Sequence, residues 1–141
     1  MLISFLLYCV VVGIAVMIHY EVLFQMTSMM PKLKLKHRFR IVLGVFGALL
    51  AHVIEIWVFA IAYYFMHSSQ GWGYFEGNYN GSLLDSAYFS FTSFTTLGFG
   101  DITPYGELRF LVGIEAVTGL VLITWTASFL YFEMQHFWDN R

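Results

Sequence analysis

An all-α membrane protein with three spanning helices is the fold class this sequence predicts, and three observations carry it. First, hydrophobic residues make up 59% of the 141 residues and charged residues 11%, against about 45–50% and about 25% in soluble domains. Too few charges remain to build a water-facing surface, and mean hydropathy is +0.69. Second, three apolar runs, at 2–18 (extending to 26), 41–66 and 110–132, each approach or exceed the roughly 20 residues that a spanning helix needs. Third, five of the seven Lys and Arg residues, namely Lys32, Lys34, Lys36, Arg38 and Arg40, lie between the first two runs.

The first run predicts a peripheral helix over 1–30. It has no basic segment ahead of it and no clear small-residue cleavage site, so it reads as a retained span rather than a leader. Cys9 lies within it and reads as a small packing residue. As the single cysteine it excludes an intrachain disulfide and a cysteine-based zinc site. The basic loop at 31–40 follows. The positive-inside rule assigns it to the cytoplasm, and the same charges suit anionic lipid at the inner leaflet. The N-terminus is then outside and the C-terminus cytoplasmic, as in a multi-pass protein of the plasma membrane. A net charge of −2 gives nucleic-acid binding no electrostatic support.

The outer span occupies 41–66 and an external loop 67–82. At 83–95 an apolar, aromatic segment opens on Ser82 with Asp85 three residues on, the spacing of a capped helix start. About 13 residues at about 1.5 Å each reach about 20 Å, enough to dip into a bilayer but not to cross it. Such a re-entrant segment must be surrounded by protein or water. The inner span is expected at 107–132, with a short tail at 133–141. Neither of the first two spans carries a ladder of basic residues, so an arginine-rich voltage sensor is excluded. The tail is too short for a nucleotide- or calcium-binding domain. No Walker loop, nucleophile elbow or Cys/His finger occurs, and no enzymatic activity is expected.

After the short helix comes Thr95-Thr96-Leu97-Gly98-Phe99-Gly100-Asp101. This segment resembles the selectivity filter of the potassium channel pore family, usually written TVGYG. Ala87 to Thr92 looks like that family's pore helix, Asp101-Ile102-Thr103-Pro104 like its outer mouth, and Glu115-Ala116-Val117-Thr118-Gly119 like a stretch of the inner helix in small two-helix-pore channels. The resemblance implies a homotetramer, because one strand cannot enclose an ion. It implies potassium bound in passing at Thr96, Leu97, Gly98, Phe99 and Gly100, with no cofactor. It places Thr92, Thr95, Asp101 and Glu115 at the filter's support and outer mouth, and Gly119 near the family's gating hinge. Close packing by a small residue explains Gly119 equally well.

The physical case runs alongside. Backbone carbonyls can replace the water shell of potassium without trapping it. Gly98 and Gly100 give the backbone the freedom that a carbonyl row requires, and the C-terminal end of the helix dipole favours a cation. Asp85, Glu76, Asp101 and Glu107 make the outer mouth acidic. Phe99 and Leu97 depart from the commonest Tyr and Val, and Thr92 stands where many relatives have Glu. Phe99 lacks the hydroxyl that braces the filter in the family, so a filter more prone to collapse is expected. Arg109, beside Glu107, reads as an interfacial anchor.

Ionisable residues inside a span are costly and point to function. His19 and His52 fall at similar depth if the first two spans form a hairpin, and His52 and Glu55 share a helix face. His19, His52 and Glu55, with Glu21 as a further candidate, could fix hairpin packing, form a proton switch or bind a metal. Glu115 is expected to be hydrogen-bonded behind the filter, with a cavity cation site as the rival. Two other readings remain for the whole chain. One is a weakly selective monovalent cation channel. The other is a non-conducting protein or metal-dependent membrane enzyme using His19, His52 and Glu55.

Overall fold

The computed structural model describes residues 2–33 and 36–138. Its elements in chain order are α1 (Leu2–Met29), a 3-10 turn (Met30–Lys32), α2 (His37–Ser68), β1 (Tyr74–Gly77), α3 (Leu83–Phe94), β2 (Ile102–Tyr105) and α4 (Leu108–Trp138). Three of these helices are long and apolar enough to cross a bilayer, so the architecture is an all-α multi-pass membrane protein. At about 1.5 Å per residue, each outreaches a hydrocarbon core of about 30 Å.

α1 buries one face. Ser4, Tyr8, Val11, Ala15, His19 and Leu23 point inward, at the three- and four-residue spacing that brings side chains to one side of a helix. Leu6, Val10 and Met17 point outward, toward the lipid that an apolar exterior requires. Alanines at 15, 51 and 60, all fully buried, let the helix backbones approach closely. The core gathers Phe59 and Tyr63 of α2, Phe89 and Phe94 of α3, and Leu108, Leu111 and Leu122 of α4.

α3 begins as its sequence dictates. Ser82 is extended and its hydroxyl accepts from the Asp85 amide at 3.1 Å. The helix stops at Phe94 with Thr95 as its cap.

Several expectations are corrected. The loop expected over 67–82 is not wholly irregular: β1 pairs antiparallel with β2, Tyr74 opposite Tyr105 and Gly77 opposite Ile102. The four extended residues after Asp101 find their partners there, and no periodicity in so short a run announces that. α2 starts at His37, so Arg38 and Arg40 ride on its first turn, and Arg40 donates to the Leu33 carbonyl at 2.8 Å. α4 runs on to Trp138, because nothing between 133 and 138 breaks a helix; the described part of the expected tail is helical. Cys9 is exposed rather than packed. Met1, Lys34, Leu35 and the last three residues of the expected tail lie outside the described residues.

Candidate functional site

The segment 96–101 hangs from the C-terminal end of α3. Two backbone bonds fix its departure: the Thr96 amide donates to the Ser93 carbonyl at 3.0 Å and the Gly98 amide to the Thr92 carbonyl at 3.0 Å. Thr95 returns its hydroxyl to the Phe91 carbonyl at 2.7 Å, and buried Thr92 donates to that of Phe89 at 2.9 Å. Past this point the backbone alternates in hand. Thr96, Gly98 and Gly100 have φ of +60°, +54° and +78°, while Leu97 and Phe99 stay outside the left-handed region. In a strand, successive carbonyls point to opposite sides; alternation of hand is the departure from that pattern that a row of carbonyls on one side would need. Glycine adopts these angles freely. Thr96 does so at a cost of about 1–3 kcal/mol, the kind of strain that gathers at functional sites.

Leu97 and Phe99 are exposed in the single chain. Asp101 is held from two directions. Its carbonyl accepts from the Asn78 amide at 2.9 Å, and its carboxylate accepts from the Tyr88 hydroxyl at 2.9 Å. The Tyr88 ring also lies parallel to Phe99, at 6.4 Å and 8°. Tyr88 thus ties α3 to the residue that follows Gly100. The bond to Asp101 raises the Tyr88 phenol above its usual value. Bounded by α3, the segment and α4 lies a recess of about 340 Å³, lined among others by Thr92, Ser93, Thr96, Gly98, Val112 and Ala116.

Behind α3 sits Glu115, fully buried. Hydroxyls from two other helices, Tyr63 of α2 and Ser90 of α3, donate to its two oxygens. Ser90 also reaches the Ile56 carbonyl at 2.8 Å. Glu115 thus ties α2, α3 and α4 together at one point. One turn further along α4, Gly119 lies against the end of α3: a Cβ there would stand 2.1 Å from the Phe94 carbonyl oxygen. The close approach accounts for the glycine by packing, and α4 runs through it unbroken.

The structure also brings His19, His52 and Glu55 together. His19 Nδ1 and His52 Nδ1 each lie 2.9 Å from a different oxygen of Glu55. On the far side of both rings stands Thr126 of α4, whose hydroxyl is 3.0 Å from His52 Nε2 and 3.5 Å from His19 Nε2. Trp125 packs on His19 and Phe94 on His52. Glu21 does not join them; it is exposed and bonded to Gln25 at 2.8 Å. At the opposite end of α1, Ser4 donates to the Glu107 carboxylate and Tyr8 to the Glu107 carbonyl at 2.9 Å. The Ser4 bond holds the Glu107 carboxyl below its usual value. Arg109 is exposed.

Sequence reasoning missed Tyr88, Tyr63, Ser90, Thr126 and Ser4. Tyr88 carried a usable signal, an aromatic hydroxyl on the short helix ahead of an acidic residue. The others are hydroxyl residues in apolar runs, with nothing local to mark them.

The family described as ion channel matches residues 51–135, more than half of the chain. The match takes in His52, Glu55, the 96–101 segment and most of α4, and leaves α1 outside. No curated protein and no solved structure matches the chain.

Proposed function

Since the chain belongs to the ion channel family, we propose that it conducts potassium passively and selectively through a central pore surrounded by four copies. The observation that carries this reading is the alternating backbone of Thr96, Gly98 and Gly100, suspended from a capped helix between two spans. Carbonyls of 96–100 then stand in for the hydration shell, with the Thr96 hydroxyl as the innermost ligand. The C-terminal end of α3 adds the negative pole of its dipole. The recess beside the segment suits a neighbouring copy, and one segment per chain calls for four chains. α4 lines the pore, α2 lies outside it and α1 is peripheral. The basic residues from Lys32 to Arg40 face the cytoplasm and anionic lipid, which sets the N-terminus outside and the C-terminus inside. A plasma membrane is the expected location.

Tyr88 and Asp101 support a filter braced from α3. The test is current through purified protein in planar bilayers, with potassium on one side and sodium on the other. A reversal potential near the potassium equilibrium value, abolished by Gly98→Ala, is expected. A reversal near zero with sizeable current would replace potassium selectivity by general cation conduction and point to Leu97 and Phe99. Phe99→Tyr should then restore selectivity.

A further inference from the structure

We propose that His19, His52 and Glu55 form a binding site for one transition-metal ion of the zinc class, an ion that would tie α1 to α2. Two imidazoles and one carboxylate are a donor set that zinc uses, usually with a fourth position left to water. The three come from two facing helices, with His52 and Glu55 three residues apart on α2, a pattern by which helix bundles build metal sites. One ligand atom from each lies within 4.8 Å of the others.

Spacing is the first argument. Donors around a tetrahedral ion at about 2.0–2.1 Å stand roughly 3.3 Å apart. The two Nδ1–oxygen separations are 2.9 Å. The ligand atoms of the three residues lie within 4.8 Å of one another, so an ion draws the widest pair together by up to about 1.5 Å while the two short pairs open by a few tenths of an ångström.

Hydrogen counting is the second. Glu55, the two imidazoles and Thr126 make four polar contacts with one another. With the carboxylate ionised and both rings neutral, three hydrogens are available, one on each ring and one on the hydroxyl. Those three serve the contacts of 2.9–3.0 Å, and the 3.5 Å contact between Thr126 and His19 Nε2 is left without one. A metal between the two Nδ1 atoms and Glu55 removes the shortage. Each ring then carries its hydrogen on Nε2, and both Nε2–H groups donate to the single oxygen of Thr126, which has two lone pairs for them. Thr126 stands where an outer-shell partner fixes the ring tautomer of metal-binding histidines.

Surroundings and access complete the case. Trp125 and Phe94 wall the rings, while the His52 side chain is 14% exposed, leaving an edge for an ion or a water to enter. Because Phe94 ends α3, a metal here would sit one side chain from the helix that carries the 96–101 segment.

The test uses the full chain in detergent micelles, loaded with zinc chloride, desalted and measured for metal by mass spectrometry. About one zinc per chain is expected. His19→Gln and His52→Gln should lose it, and Thr126→Val should weaken affinity by about 10–100-fold. Cobalt(II) in place of zinc, on the unaltered protein, should give the visible absorption of a four- or five-coordinate ion without thiolate. That readout stands even if a histidine variant does not fold. Metal content at background in the unaltered protein, or equal loading in folded His52→Gln, overturns the proposal. An additional proton would complete the same hydrogen count, and background metal content is the result it requires. None of these readouts depends on current.

Discussion

Two carboxylates are buried in the spans, and they are held in opposite ways. Glu115 and Glu55 are both fully shielded. Glu115 takes its hydrogen bonds from hydroxyls of Tyr63 and Ser90, which are neutral near pH 7. Glu55 takes its own from the imidazoles of His19 and His52, which can carry a proton or release a lone pair to a metal. Glu115 joins α2, α3 and α4, the helices of the ion channel match. Glu55 joins α1, the helix outside it. The two networks adjoin on α2, where Glu55 serves one with its side chain and Ile56 the other with its carbonyl. A fixed joint of neutral donors thus supports α3, while a joint of chargeable donors docks an added helix.

The sharpest way to break this comparison is at Glu115. Glu115→Leu leaves the buried Tyr63 hydroxyl without its acceptor, at about 1–3 kcal/mol, while Ser90 keeps the Ile56 carbonyl; it should lower thermal stability in micelles and abolish selective current. Glu115→Gln keeps one acceptor and should cost less. Glu55→Leu strands two imidazole N–H groups and should cost about 2–6 kcal/mol, yet leave selectivity intact. Lost selectivity in Glu55→Leu with retained selectivity in Glu115→Leu would reverse the roles of the two joints.

Gly119→Ala comes next. Overpacking against Phe94 should cost about 1–3 kcal/mol, read by denaturation. A hinge predicts lowered open probability at unchanged stability, so the two measurements together separate hinge from packing.

Tyr88→Phe has a smaller, kinetic effect. It removes the bond to Asp101 and should speed the decay of current under maintained recording. The raised phenol pKa sets the sign with pH. The neutral form holds the bond, so the brace is complete below the usual tyrosine value of about 10 and is lost as pH rises through the raised one. Accelerated decay should therefore appear only in strong alkali, and Tyr88→Phe should lack that dependence.

Ser4→Ala is the mildest. Its loss should return the Glu107 carboxyl toward the usual range, seen in a carbon NMR titration. The depressed pKa means that the tether's contribution is present above the usual glutamate value of about 4.3 and lost as pH falls through the lower value.

Much of the architecture was legible because its signals are local or compositional. Long apolar runs mark spans, Ser82 with Asp85 marks a helix start, and glycines at 98 and 100 mark a backbone that must turn left-handed. The candidate cluster was half legible. The spacing of His52 and Glu55 and the matching depth of His19 in a hairpin show on paper, but Thr126 is one more threonine in an apolar helix. The β1–β2 pair was illegible, since four-residue strands at a loop's two ends have no period to read.

Composition and pattern by themselves determined that this chain spans a membrane three times, where its short helix starts, and where its backbone can adopt left-handed angles. These depend on transfer free energy and on conformations of single residues, which hold wherever the residues are placed. The tertiary structure alone decided which polar group each hydroxyl meets: Tyr88 with Asp101, Tyr63 and Ser90 with Glu115, Thr126 with the two histidines. In an apolar interior, a polar group must find a partner within about 3 Å, and which group lies that close is set by how the helices pack.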